Sequence, residues 1–282
     1  MILYTRDGRI LNNPHPLPDS ERDEEHRMYS WSLCGFLESL YRGLGRGVGC
    51  LVESPVAERD RCYVNTNLLG AHALRVCSSP LAGRVEAFAK RYRGLRFCRY
   101  KVLWRERIPY PPRTAKRVRL GALRSTNGEQ LLVLADTCGP VLPDWTSYAD
   151  LLVLGALERL RQHSYSAAWR LHQRLLGMWS GTGFRDKAYT ATGLYESYKL
   201  ALYYFLARAL HEDNHVTDWI RANICKLVRR DGGVVTHYDD ALRRHGDANL
   251  ETTALTILAL YSNYPDRFPY PARTRKTRYR LL

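Results

Sequence analysis

Asp231-Gly232-Gly233-Val234-Val235-Thr236-His237-Tyr238-Asp239-Asp240, then Gly246-Asp247-Ala248-Asn249-Leu250-Glu251-Thr252-Thr253, joins a glycine-rich polar break to a polar helix entry. A striped segment, Trp219 to Arg230, precedes it, and an almost wholly apolar one, Ala254 to Leu260, follows. The layout recurs. Ala167 to Met178 leads through Gly181-Thr182-Gly183-Phe184 to Gly193-Leu194-Tyr195-Glu196-Ser197-Tyr198-Lys199 and the apolar run Leu200 to Ala207. A weaker copy ends near Arg42, breaks at Gly47-Val48-Gly49 and re-enters at Tyr63-Val64-Asn65-Thr66-Asn67. Repeats of this kind predict stacked helical pairs.

The apolar segments predict helices buried on every side, and the striped ones predict helices at the surface. Leu151 to Leu157 is a further apolar segment, and residues 24–42 and 81–92 read as further striped ones. The order outer, inner, repeated, predicts a mainly α architecture: an α/α toroid of about four helical hairpins. A plain bundle or an open solenoid is the alternative. The links from outer to inner helices are the long ones, so they crowd one rim, where the inner helices begin. The longest holds a small antiparallel β insertion at about 97–135. Arg99 to Ile108 reads as one strand, and Asn127-Gly128 is a hairpin turn. Residues 1–265 then form a single domain and 266–282 a basic C-terminal tail.

Composition sets bounds on this reading. An apolar content of 45% in 282 residues suits a large buried core. No apolar run reaches membrane-spanning length, and Met1 to Arg9 has no signal-like apolar region, so a cytoplasmic protein is expected. The seven cysteines show no C-x-x-C spacing and read as small buried side chains; the odd total leaves one over if the others pair. Arginine far outnumbers lysine, which fits a GC-rich or thermophilic source, where intracellular disulfides are plausible. The net charge of +15 is concentrated: residues 84–124 carry +12 and residues 266–282 carry +5.

Polar groups gather at the expected inner-helix starts: Asn65 and Asn67; Tyr148 and Asp150; Tyr195, Glu196, Tyr198 and Lys199; Asn249 and Glu251. The long loops add Asp186, His237 and Tyr238. Singly, such residues read as helix caps. As a set they exceed what capping needs. Carboxylates leading into apolar helices are costly to bury unless paired, and carboxylates grouped in a cleft suit general acid–base chemistry. Glu196, Glu251 and Asp150 are therefore the catalytic candidates, and the remaining ten are the substrate-binding candidates. His237, Asp239, Asp240 and His245 lack metal-ligand spacing, so no metal or other cofactor is expected.

The Gly-Gly-Val-Val-Thr-His-Tyr break and the Gly-Asp-Ala-Asn-Leu-Glu-Thr-Thr-Ala-Leu entry resemble the α/α-toroid proteins, a group of six-hairpin glycosidases, polysaccharide lyases and terpenoid cyclases. The likeness covers about residues 22–93 and 140–262 and is closest to archaeal members. It implies a site at the inner-helix N-termini. The expected function is that of a carbohydrate-active enzyme, a glycoside hydrolase or polysaccharide lyase. The alternative is a non-enzymatic protein binding polyanions or nucleic acid through residues 84–124 and 266–282, where arginines interleave with aromatics. An acidic carbohydrate substrate would reconcile the two.

Overall fold

The computed structural model describes residues 32–269. Residues 32–39 form helix α1, followed by the hairpin β1 (Tyr41–Gly45) and β2 (Val48–Leu51). Strand β3 (Arg61–Tyr63) runs straight into α2 (Val64–Val76), and α3 (Ala82–Lys90) folds back on it. A 3-10 turn, Tyr100–Trp104, precedes the long hairpin β4 (Arg113–Arg124) and β5 (Gln130–Val141). Helices α4 (Ala149–Arg161) and α5 (Tyr165–Leu176) pair next, followed by the short α6 (Lys187–Thr192). Strand β6 (Tyr195–Glu196) enters α7 (Ser197–Ala209), and α8 (His215–Asn223) returns. The hairpin β7 (Val235–Tyr238) and β8 (Arg244–Ala248) delivers the chain to α9 (Leu250–Tyr261).

The architecture is mixed α/β and corrects the expected mainly α toroid. The described residues hold three sheets: β1-β2, β3-β5-β4 and β6-β7-β8. The links read as polar loops are largely paired strands. Glu196 faces His237, and His237 faces His245, in antiparallel register. The physical reason lies in the backbone. A link of that length near a core must satisfy its N–H and C=O groups, and Val235-Thr236-His237-Tyr238 does so by pairing on both edges.

The four apolar helices are buried, as their composition demands, but they form a row and not a ring. Helix α2 packs on α9, α9 on α7, and α7 on α4. The α2 end of the row is covered by β5 and the α4 end by the 3-10 turn, so the insertion closes the side that a further helix contact would close in a toroid. Gly70 permits the α2–α9 approach: a Cβ there would lie 2.6 Å from Leu51 Cδ1 and 2.9 Å from Leu250 Cδ1.

Within the insertion, the Asn127–Gly128 turn connects β4 and β5, with Gly128 at φ +85. The strand expected over Arg99 to Ile108 is absent. The segment instead coils into the 3-10 turn against α4, burying the adjacent Val102 and Leu103. The start of the expected tail also belongs to the body, since Phe268 is buried against Phe205. The rest of that tail, and the striped helix before residue 32, lie outside the described residues. No helix among the described residues is long and apolar enough to cross a membrane.

Six cysteines are paired, which corrects their reading as isolated buried side chains. Cys34–Cys77 ties α1 to the end of α2, Cys50–Cys62 ties β2 to β3, and Cys98–Cys138 ties the approach to the 3-10 turn onto β5. Their Cα atoms are 5.9, 6.2 and 5.2 Å apart, within disulfide range. Replacing Cys34 and Cys77 together by alanine should lower stability by about 2–5 kcal/mol in non-reducing chemical denaturation. An unchanged midpoint would mean that this bridge does not form.

Candidate functional site

Each buried helix start needs acceptors for its free N–H groups, and here distant segments supply them. At α9, Asn249 accepts from Thr252 N at 2.9 Å, while the Glu53 backbone oxygen accepts from Leu250 N at 2.8 Å. Glu53 Oε1 also accepts from Glu251 N at 3.4 Å, and its Oε2 accepts from Thr66 Oγ1 in the first turn of α2 at 2.8 Å. At α4, Asp186 Oδ2 accepts from Ala149 N at 2.9 Å and from Lys199 Nζ of α7 at 2.6 Å. Asp186 Oδ1 also caps α6 through Tyr189 N at 3.1 Å. Carboxylates thus stitch the start of α9 to that of α2, through Glu53, and the start of α4 to that of α7, through Asp186.

Two residues of the strap that follows Cys98, Arg99 and the first residue of the 3-10 turn, Tyr100, complete the cluster. Tyr100 donates its hydroxyl to Glu251 Oε1, and Arg99 Nη2 lies 3.5 Å from Asp150 Oδ2. Lys199 also forms an ion pair with Glu196. A continuous polar chain therefore runs from Glu53 through Glu251, Tyr100, Arg99 and Asp150. Tyr198 extends it, in electrostatic reach of both Asp150 and Glu196.

The electrostatics divide this cluster. Burial, then the charge of Glu251, pushes the Glu53 carboxyl well above the ordinary carboxylate range. Burial likewise raises Glu251, and the Tyr100 hydrogen bond and Arg99 only partly hold it down. Tyr100 and Tyr198 are pushed well above the usual phenol value, first by burial and next by Glu251 and Asp150 respectively. Burial opposes the charges of Arg99 and Lys199, but their acidic neighbours, Asp150 for Arg99 and Glu196 for Lys199 first among them, more than offset it. His237, paired across from Glu196, is lowered by burial more than Glu196 raises it. The result is a pair of acids whose affinity for protons burial raises, beside cations that acidic neighbours hold in place.

The structure brings Asp150, Glu196 and Glu251 into this network, together with Tyr198, Lys199, Asp186 and His237. Glu196 occupies the N-cap position of α7 and not its first turn, because β6 ends there. Asn65 is at the margin: its Oδ1 accepts from Asp136 N on β5 at 3.0 Å. Other candidates do structural work. Asn67, fully buried, bonds both Leu51 N and Leu51 O, at 2.6 and 2.8 Å, and so extends the edge of β2. Asn249 is a helix cap. Tyr148, at the N-cap position of α4, makes no side-chain cap bond, and its ring lies 5.8 Å from Lys187 Nζ. Alternation along β6 sends Tyr195 to the face opposite Glu196, where it packs between Tyr189 and Tyr238 and bonds Ser180, Arg185 and Asp240. Tyr238 is buried there too, donating to Thr182 O at 2.9 Å. Among the described residues, no group of His, Cys, Asp and Glu is placed to hold a metal ion.

Three members stood outside the candidate set: Glu53, which the sequence also places among the polar loop residues of this rim, and Arg99 and Tyr100. The role of Glu53 as a remote cap has no local signature. Arg99 and Tyr100 looked like parts of a basic strand, and Tyr100 meets Glu251 across 151 positions.

The Glu53 shift carries a stability signature. A carboxyl whose folded-state pKa is raised contributes fully at low pH and loses that contribution as pH rises through the folded value. Thermal unfolding from pH 4.5 to 8 should therefore show Glu53→Gln gaining on the wild type as pH rises. Parallel profiles would mean that Glu53 is not buried against Glu251.

No family model, curated protein or solved structure matches this chain, so these comparisons identify no α/α-toroid family and no relative.

Proposed function

We propose that the chain is a carbohydrate-active enzyme that cleaves glycosidic bonds by proton transfer between carboxylates. The observation that supports this reading most is the contrast between Glu251 and Glu196. Glu251 is held under Tyr100 with its carboxyl raised by burial, the direction a proton donor needs. Glu196 keeps a quarter of its side chain exposed and is paired with Lys199, which suits a base that meets water.

In the hydrolytic form, the Glu251 carboxyl passes its proton to the glycosidic oxygen as the bond from that oxygen to the anomeric carbon breaks. Water adds to the anomeric carbon and gives its proton to Glu196, and solvent exchange returns the proton to Glu251. Asp150 fixes Arg99, which in turn stands beside Tyr100, so Asp150 acts as a positioning residue. Tyr198 and His237 flank Glu196 and can meet sugar hydroxyls.

A second reading, polyanion binding without catalysis, draws on the exposed cations of β4. It loses its stacking partners, however. Tyr100 is buried, Trp104 is stacked on His72 with ring centroids 4.2 Å apart, and Tyr110 lies under Arg159 at 3.6 Å.

The test is release of reducing ends from a panel of neutral and acidic polysaccharides. Glu251→Gln and Glu196→Gln should each lower the rate by about 10²–10⁴-fold while circular dichroism stays unchanged. Full activity in either variant, or no cleavage of any glycan by the wild type, would contradict the proposal.

A further inference from the structure

A cleft opens beside the carboxylate network, between the 3-10 turn and the β4–β5 hairpin. Asn65, Arg99, Tyr100, Lys101, Asp136 and Thr137 contribute to its walls. Two of these residues, Arg99 and Tyr100, also touch Asp150 and Glu251, so the cleft and the proposed catalytic groups share a wall. Asn65 and Thr137 offer it an amide and a hydroxyl.

Three observations concern charge. Arg99 Nε is buried and has no hydrogen-bond partner, an orphaned donor on a residue of the cleft wall. Leaving such a donor unmet costs free energy that a bound acceptor would recover. Lys101, also on the wall, has its own partner, Glu106, 3.4 Å away and more than half exposed, a weak rim pair. Beyond the rim, β4 is the edge strand of its sheet and carries Arg113, Lys116, Arg119 and Arg124, all exposed. None of the four forms an ion pair among the described residues. Cations guard many edge strands against pairing. The same strand reaches the cleft at Ala115, and its Arg117 pairs with the wall carboxylate Asp136, 3.2 Å away.

We propose that this cleft takes a carboxylate-bearing sugar of an acidic polysaccharide, with Arg99 and Lys101 meeting the carboxylate and the β4 cations steering the chain in. The inference rests on the carbohydrate-active reading and adds to it the substrate class, a uronate chain. Nucleic acid fits less well. Of the three aromatics on the wall, Tyr100 is bonded to Glu251 and Trp104 is stacked on His72, which leaves Phe97, while Asn65 and Thr137 can meet sugar hydroxyls.

The test measures calorimetric binding of uronate oligomers (galacturonate, guluronate and glucuronate) against neutral oligosaccharides of the same length. At least one uronate should bind tenfold or more above its neutral counterpart, with affinity falling as salt is raised. Arg99→Gln should abolish that preference, and Arg99→Lys should restore part of it. The exposed pair Lys116→Gln/Arg119→Gln, placed where folding is unaffected, should weaken uronate binding several-fold and flatten its salt dependence. Equal binding of neutral and acidic oligomers, no binding of any uronate, or displacement of bound uronate by a tighter poly(U) would each overturn the inference. Failure of the enzymatic reading looks different. A uronate preference without bond cleavage leaves this inference standing and removes catalysis, whereas cleavage of neutral chains without a uronate preference does the reverse.

Discussion

Four helix N-termini meet in the interior of this protein, and each brings unsatisfied N–H groups and the positive end of a helix dipole. Water cannot reach them freely, so the sequence must supply acceptors from elsewhere. Glu53 caps α9 from the loop between β2 and β3, and Asp186 caps α4 from the loop before α6. Each carboxylate also reaches another helix, through Thr66 of α2 and Lys199 of α7. Remove this stitching and, among the described residues, only the strap contacts of Arg99 and Tyr100 link the starts of α4 and α9 through polar groups. The apolar helix bodies would still favour contact, but contact alone does not fix where helices begin.

Capping explains Glu53, Asp186 and Asn249. It does not explain the rest. Glu251, Glu196 and Asp150 accept no helix N–H through their side chains, yet they sit in the same polar core and are answered by Tyr100, Lys199 and Arg99. Breaking a buried pair of this kind is costly and apolar replacements are often harmless, so stability alone is a weak reason for keeping it. Carboxyls that burial makes more basic, set beside carboxyls paired with cations, are what proton-transfer chemistry uses. The strap that brings Arg99 and Tyr100 is itself anchored next door by Cys98–Cys138.

Much of the framework was legible in the sequence for a simple reason: helices apolar on all sides must be buried. The runs Leu151 to Leu157, Leu200 to Ala207 and Ala254 to Leu260 needed no tertiary information. The Asn127–Gly128 turn was equally local. Beyond the β4–β5 hairpin the sheets were not legible, because Tyr195–Glu196 is only two residues long and β7 and β8 look like polar loop until they pair. That pairing is what turned an expected toroid into a mixed fold. The disulfides were hidden for the same reason. Cys34 and Cys77 are 43 positions apart, and only the packing of α1 on α2 brings them together. Three such bridges fit an oxidising compartment or the interior of a hyperthermophile. Of the site, the acids at the helix starts could be read from the chain, but their partners Arg99 and Tyr100 lie in a segment whose own pattern suggests a strand.

The central claim is that the starts of α4 and α9 share one electrostatic environment. Carbon-13 NMR titration of the Glu251 carboxyl in the wild type and in Asp150→Asn tests it most directly. The account predicts a wild-type midpoint above the ordinary glutamate value, since burial raises it and Asp150 adds to the rise, and a lower midpoint in the variant. An ordinary midpoint in the wild type, or the same midpoint in both proteins, would contradict the account.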